Sequence, residues 1–372
     1  MKLDRFQGLF FYISWIFLAG SGIMYIIGQI STGNLLLAGF WVSLAIGVGR
    51  FPNFKQLSFT MLIFAAVTLS MTFPGAFTSV GSFQSKSLIV PLLQVIMFGV
   101  GTAMSLADFK GVLKMPKGVG VGLLCQFTIM PFVGYSIAHI FGFPNEIAAG
   151  IILVGSSPSG LASNVMAHIA KANLALSITL TSVATVLAPL ATPFLMSQLA
   201  GELVPVDVPA MMLGVVKMVI LPVGLGLIFN HFFHGKFSWL DKLMPKVSMA
   251  GIVLIIVIIT AAGRDSLLSV GALLILAMFL HMTCGYFLGY WGGRLFRMPE
   301  NDCRTIAIEV GMQNGGLASG IAATMGKINT LGLAAAVNGP IMNITGSMLA
   351  TWWSKKKPKD ISKHPQPKPE AI

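Results

Sequence analysis

The chain is 372 residues long, 55% apolar and only 10% charged, with a mean hydropathy of +0.83. A water-facing domain carries about 25% charged residues, so a soluble globular protein is excluded. The net charge of +12 would suit a nucleic-acid partner, but the basic residues lie in short connections between long apolar stretches, a pattern that belongs to membrane proteins.

Twelve stretches match the ~20 residues that cross a bilayer. They are residues 8–28, 33–49, 57–75, 88–106, 117–141, 145–169, 174–198, 208–230, 247–263, 268–293, 304–325 and 331–353. The first follows Lys2 and Arg5, and its apolar run exceeds the about 7–15 residues of a cleaved signal peptide, so it is expected to remain as an anchor. The connections alternate in charge. Lys2, Arg5, Arg50, Lys55, Lys110, Lys114, Lys117, Lys171, Lys236, Lys242, Lys246, Arg294, Arg297, Arg304 and the six lysines of the tail fall on one side. Lys86, Arg264 and Lys327 fall on the other, twenty against three. The positive-inside rule then predicts both termini in the cytoplasm, in a multi-pass protein of the plasma (inner) membrane. Residues 355–372 are Lys/Pro-rich and read as a disordered basic tail.

Two spans break the rule that a lipid-buried helix runs uninterrupted. The sixth contains Gly155-Ser-Ser-Pro-Ser-Gly160 and then Leu161-Ala-Ser-Asn164; the eleventh contains Glu309-Val-Gly-Met-Gln-Asn-Gly-Gly316 and then Leu317-Ala-Ser-Gly320. Glycine, proline and polar residues at that depth expose backbone groups, and such segments persist only inside protein or along a wet cavity. With spans one and two set aside, each break falls in the fourth of five spans. A five-span repeat reverses its orientation, so the halves are expected to be inverted repeats, about 57–198 and 208–353. Paired breaks at matching positions point to a transporter's binding site; two glycine-rich packing helices are the plainer alternative. The expected architecture is an all-α polytopic membrane protein. It has an extension, 1–52, of two spans and a ten-helix core, 53–354, with two interrupted helices.

Among the twelve acidic residues only Glu309 lies well inside a span. An acid there costs about 2.5–3.5 kcal/mol on insertion scales, so a basic partner, a cation or a proton is expected beside it. Lys217, the basic residue within a span, either pairs with it or snorkels outward. Gln126, Ser163, Asn164, Ser177, Thr181, Gln313 and Asn314 offer neutral oxygens. Ser177 and Thr181 are four apart and share a helix face. Hard oxygens with one carboxylate suit Na+ better than Ca2+ or a transition metal; a proton on Glu309 is the rival. Cys125, Cys284 and Cys303 have no metal-ligand or redox spacing. His281 is the one deep histidine, and His139, His168, His231 and His234 lie near span ends.

At these residues the sequence resembles the bile acid:sodium symporter family. The matching strings are Gly155–Asn164, Ala175-Leu-Ser-Ile-Thr-Leu-Thr181, Glu309-Val-Gly-Met-Gln-Asn314, Cys125-Gln-Phe-Thr-Ile-Met-Pro131 and Phe98-Gly-Val-Gly101, over about residues 57–353. The resemblance implies two inverted five-helix repeats divided into a panel and a core domain, with the two broken helices crossing at the midplane. It implies one sodium site at Ser163, Asn164, Ser177, Thr181 and Glu309. A second would use Gln126, Glu309, Gln313 and the carbonyls of Val310 and Met312. A small organic anion, such as a bile acid, pantoate or a keto acid, would lie near Asn314 and the peptide groups of Leu161, Ala162 and Ser163. No cofactor and no nucleic acid is implied, only Na+, an organic anion and the bilayer. Many bacterial members carry threonine where this chain has Leu161, which favours a more apolar anion here. Proton-coupled transport through Glu309, a channel, and an intramembrane hydrolase built on Ser157 or Ser159 with His281 are the competing readings.

Overall fold

The computed structural model describes residues 2–51, 57–233 and 238–356. Lys55, His234, Lys236 and the tail from Lys357 onward lie outside these residues. Without water to satisfy peptide groups, a chain this apolar must pair its backbone with itself, and it does so as helix. In chain order the helices are α1 (Lys2–Ile26), α2 (Ile30–Val48), α3 (Leu57–Thr72), α4 (Pro74–Thr78), α5 (Ile89–Thr102) and α6 (Leu106–Lys114). They continue with α7 (Pro116–Ile140), α8 (Asn145–Gly155), α9 (Ala162–Ile169), α10 (Leu174–Ala200), α11 (Val208–Val215) and α12 (Leu221–Phe233). The last are α13 (Ser238–Ala262), α14 (Arg264–Leu295), α15 (Glu300–Gly311), α16 (Gly315–Thr324) and α17 (Gly332–Ser354).

Eight helical stretches among the described residues are each long and apolar enough to cross a membrane. The protein is therefore an all-α polytopic membrane protein. Helix also lies on each of the other expected spans, including the short apolar Leu57–Thr72 and the two broken spans, now α8–α9 and α15–α16.

Three elements go beyond the sequence reading. The connection after α4 is a two-residue hairpin, Ser79–Val80 with Phe83–Gln84, turning at Gly81 with φ +61°. Helix α6 is a nine-residue amphipathic segment opened by a capping box, Ser105 with Asp108. Helices α11 and α12 are joined by a π-helical turn, Val216–Ile220, that contains Lys217. A run that is apolar on almost every face gives no periodicity signal for such a turn.

The N-terminal pair packs as a hairpin, with Gly33, Gly39 and Gly47 of α2 receiving Tyr25, Phe17 and Phe11 of α1. Helix α2 then leans on α3. The centre of the molecule belongs to the broken helices. Residues 147–155 of α8 and 303–311 of α15 are buried without exception, enclosed by α7, α10, α14 and α17.

The two broken helices share one anatomy. Pro144 and Pro299 precede α8 and α15, a place where proline's missing N–H costs nothing. Each second half ends on a residue in the left-handed region, Lys171 at φ 55° after α9 and Gly326 at φ 70° after α16. In both, two backbone bonds close the end: Lys171 N to His168 O and Ala172 N to Ala167 O, and Gly326 N to Ala323 O and Lys327 N to Ala322 O. Each start is also tied to the segment after the other's end. Glu146 of α8 accepts from Lys327 and Thr330. Asp302 of α15 accepts from Asn173 Nδ2 at 2.8 Å, and Thr305 Oγ1 donates to Asn173 O at 3.1 Å.

Candidate functional site at the helix crossing

The breaks meet each other. Gly160 N donates to Met312 O at 3.1 Å and Asn314 N donates to Pro158 O at 2.8 Å, while Ser159 and Gln313 form an isolated antiparallel bridge. The exposed backbone predicted at each break is thus paired with the other break, which is how non-helical peptide survives at this depth. Pro158 cannot donate a backbone hydrogen bond, and here it is required only to accept one.

Beside this crossing sits Glu309, 2% exposed. Its carboxylate accepts from four hydroxyls: Ser159 Oγ on Oε2 at 2.5 Å, Thr181 Oγ1 on Oε2 at 2.8 Å, Ser163 Oγ on Oε1 at 2.6 Å, and Ser177 Oγ on Oε1. Asn164 Oδ1 lies within reach of two of the same hydroxyls, Ser177 at 2.8 Å and Thr181 at 3.3 Å. Two carboxylate oxygens, the Asn164 oxygen and four hydroxyls make seven oxygen atoms in contact, with four hydroxyl protons among them. Lys217 is not among the partners of Glu309; it is exposed in the π turn, and its carbonyl accepts from Gln94. The ion-pair alternative is thereby set aside in favour of the outward one. Once a serine or threonine proton points at the carboxylate, the hydroxyl's two lone pairs point elsewhere. The cluster is electron-rich and held by charge-assisted hydrogen bonds, a setting that favours a hard monovalent cation.

A second group adjoins it. Gln126 of α7 donates through Nε2 to Ser157 O at 3.0 Å and to Gln313 Oε1 at 2.8 Å, so one side chain ties both breaks together. Its own oxygen is buried without a partner, which costs about 1–3 kcal/mol unless a donor or cation meets it. Gln126 and Glu309 line one crevice, with Gly122, Leu123, Ser159, Leu180 and Ala184, that is too narrow to hold a water. Of the expected carbonyls, Val310 O accepts from Gln313 Nε2 at 2.5 Å and Met312 O accepts from Gly160 N. Each retains a second lone pair.

The residues expected near an anion lie on the open face. Leu161, Ala162, Asn314, Gly315 and Gly316 are half-buried, whereas Ser163 and Gln313 are fully enclosed. Asn314 caps α16: its Oδ1 accepts from Leu317 N at 3.0 Å. That use of the oxygen leaves the amide –NH2 to face a ligand, a donor that suits an anion beside the positive end of a helix.

Ser159 went unrecognised from sequence as a partner of Glu309 and figured there only as a nucleophile. The break carries no helical period that would aim its side chain, so nothing in the local pattern separates it from Ser156 or Ser157. Ser159→Ala removes one charge-assisted bond, worth about 1.5–3 kcal/mol. It is expected to weaken half-saturation by Na+ about 10-fold or more in uptake assays, with less effect on the maximal rate.

Among the described residues no serine–histidine pair forms. Ser157 Oγ donates to Leu153 O at 2.8 Å, and His281 Nε2 faces Met130 O at 3.0 Å.

Comparison with known proteins agrees with this geometry. The sequence pattern described as Sodium Bile acid symporter family matches residues 90–270. A Bacillus subtilis (strain 168) protein described as an uncharacterized sodium-dependent transporter, YocS, is 37% identical over 312 residues, covering 84% of this chain and 95% of that protein. The chain belongs to the sodium bile acid symporter family. Plant relatives lie further off. The probable sodium/metabolite cotransporter BASS1 of Arabidopsis thaliana chloroplasts is 33% identical over 270 residues, covering 72% of this chain and 67% of the relative. The corresponding BASS3 is 33% identical over 300 residues, covering 80% and 68%. Members of this symporter family are transporters, not enzymes, and the match runs from α5 into the start of α14, a stretch that carries Gln126, the first break, Ser177 and Thr181.

Proposed function

We propose that the protein is a sodium-coupled symporter that carries a small organic anion by alternating access, with both termini in the cytoplasm of a plasma membrane. The observation that carries this reading is the cluster of oxygens around buried Glu309, placed where two broken helices cross. The names of the relatives, sodium-dependent transporter and sodium/metabolite cotransporter, agree with it.

In this reading Ser159, Ser163, Asn164, Ser177, Thr181 and Glu309 hold one Na+, and Gln126, Gln313, Glu309 and the Val310 and Met312 carbonyls hold another. Two cations against one carboxylate leave a single positive charge at the crossing, and a monoanion beside Asn314 and the Leu161–Ser163 peptides neutralises it. Sodium thus creates the anion's site, which is coupling in the thermodynamic sense. Leu161, in place of a hydroxyl, favours an anion with an apolar flank.

The shared anatomy of α8–α9 and α15–α16 supports inverted repeats, with a core domain of α7–α10 and α14–α17 facing a panel of α3, α5 and α11–α13. The panel rests on the second broken helix through Leu93 and Met218: a Cβ at Gly320 would collide with Leu93 and stand 3.3 Å from Met218 Sδ. Contact this close allows rigid-body rocking, not deformation, between the two parts.

Proteoliposomes under an inward Na+ gradient should accumulate one of a panel of labelled hydroxy acids, keto acids and steroid conjugates. Accumulation that persists with K+ in place of Na+ under a pH gradient would reject sodium coupling. Gln126→Leu should change the order of Na+ dependence, lowering the Hill coefficient from about 2 to about 1, because it removes ligands of one ion and leaves the hydroxyl cluster whole.

A further inference from the structure

A cavity of about 840 Å3 lies away from the crossing, between α14 and α17, with the start of α15 as its inner end. Its walls are apolar: Phe279 and Phe287 from α14, Met348 and Leu349 from α17. Phe279, Phe287 and Met348 are 45%, 62% and 64% exposed, so the cavity is open along its side as a groove. One end is different. Among the described residues, Arg294, Arg304 and Lys356 line that end together with one acid, Glu300. Glu300 accepts from Tyr290 Oη at 2.7 Å and from Arg304 Nε at 3.0 Å, with Arg294 Nη2 at 3.2 Å. The described lining there thus carries three cations and one anion. The Lys356 ammonium sits 3.5 Å above the Trp352 ring, so an aromatic floor meets the charge where a membrane protein meets its interface.

We propose that this groove binds an anionic phospholipid, with an acyl chain along the α14–α17 seam and the headgroup phosphate at Arg294 and Lys356. Length agrees. Thr345 to Lys356 covers about 16 Å at 1.5 Å per residue, close to the ~15 Å of one leaflet's hydrocarbon. Charge agrees as well, since basic pockets between membrane helices select anionic headgroups.

The position gives the lipid leverage on the crossing. Glu300 and Arg304 belong to α15, the helix that carries Glu309. Arg304 also donates to Ala170 O, Trp353 O and Lys356 O, binding the ends of α9 and α17 to it. Tyr286, on the groove wall, presses its ring on Gly311 and sits 3.1 Å from Thr345 Oγ1.

Native mass spectrometry of the full chain in detergent, with equal phosphatidylglycerol and phosphatidylcholine added, tests this. Wild type should retain one phosphatidylglycerol at least ~5-fold in preference to phosphatidylcholine. Thr283→Trp, which fills the groove, should lose that lipid; Lys356→Gln should lose the preference and Lys356→Arg should restore it. Thr283 is exposed on the groove side and Lys356 lies past the end of α17, and gel filtration reports whether each variant is folded. If Thr283→Trp does not fold, the lysine pair decides alone. Equal retention of both lipids by wild type, unchanged preference in Lys356→Gln, or lipid retained by folded Thr283→Trp would each overturn the proposal. So would displacement of the lipid by glycerol phosphate, which carries the headgroup charge without the chain.

Discussion

Glu309→Gln is expected to lower sodium-driven uptake at least ~100-fold while leaving the purified chain folded. The amide keeps the shape of the acid but not its charge. At the effective dielectric of a protein site, unit charges about 4 Å apart attract by ~4 kcal/mol, and each 1.4 kcal/mol is about a factor of ten in affinity. The substitution also reverses the local hydrogen bonding. Ser159, Ser163, Ser177 and Thr181 all donate to the carboxylate, but an amide nitrogen can only donate in return. Both hydroxyls on the side that receives the nitrogen must turn, and their lone pairs no longer face a common point. Melting curves in NaCl and KCl supply the control: wild type should gain stability in Na+ by linkage, and the variant should melt identically in both salts. A variant that still accumulates substrate with wild-type Na+ dependence would remove Glu309 from the mechanism.

Gly150→Val should be the most damaging change outside the ion cluster. Gly150 lies on α8 against the start of α17, where a Cβ would fall on the carbonyl oxygen of Leu331 and within 3.1 and 3.2 Å of its carbonyl carbon and Cα. Backbone cannot step aside as a side chain can, so α8 must move bodily. Overpacking of a tight core costs about 1–3 kcal/mol and sometimes more. The displacement also pulls Glu146 away from Lys327 and Thr330. The expected outcome is loss of monodisperse protein, or a melting midpoint lowered by about 5 °C or more. Gly224→Ala is the matched control: nothing lies within 4 Å of a Cβ there, and alanine favours helix by about 1 kcal/mol. Equal stability of the two variants would mean that α8 and α17 are not in close contact.

Much of this was legible in the sequence, for reasons that can be traced residue by residue. Hydropathy and chain length placed helix on each expected span because lipid allows the backbone little else. The two breaks could be read because proline, serine and glycine are out of place in such helices, and Glu309 because one acid stands out where every neighbour is apolar. Ser177 and Thr181 share a face by simple helix geometry. The missing parts have separate causes. Ser159 and the bridge between the breaks depend on where a non-helical segment points, and that is set by the partner segment some 150 residues away. The π turn at Lys217 is invisible for a different reason: Val-Lys-Met-Val-Ile reads as ordinary apolar helix whether or not one residue is inserted. The C-terminal groove was hidden too, because its charges were counted only as markers of membrane side.

Isothermal titration of NaCl into the purified protein, at constant ionic strength without substrate, shows whether Glu309 and its ring of hydroxyls bind sodium. Saturable heat with two ions bound per chain is expected, with no comparable heat from KCl and none from NaCl in Glu309→Gln. The same isotherm with K+ as with Na+, or an undiminished Na+ isotherm in Glu309→Gln, would contradict sodium binding by this cluster.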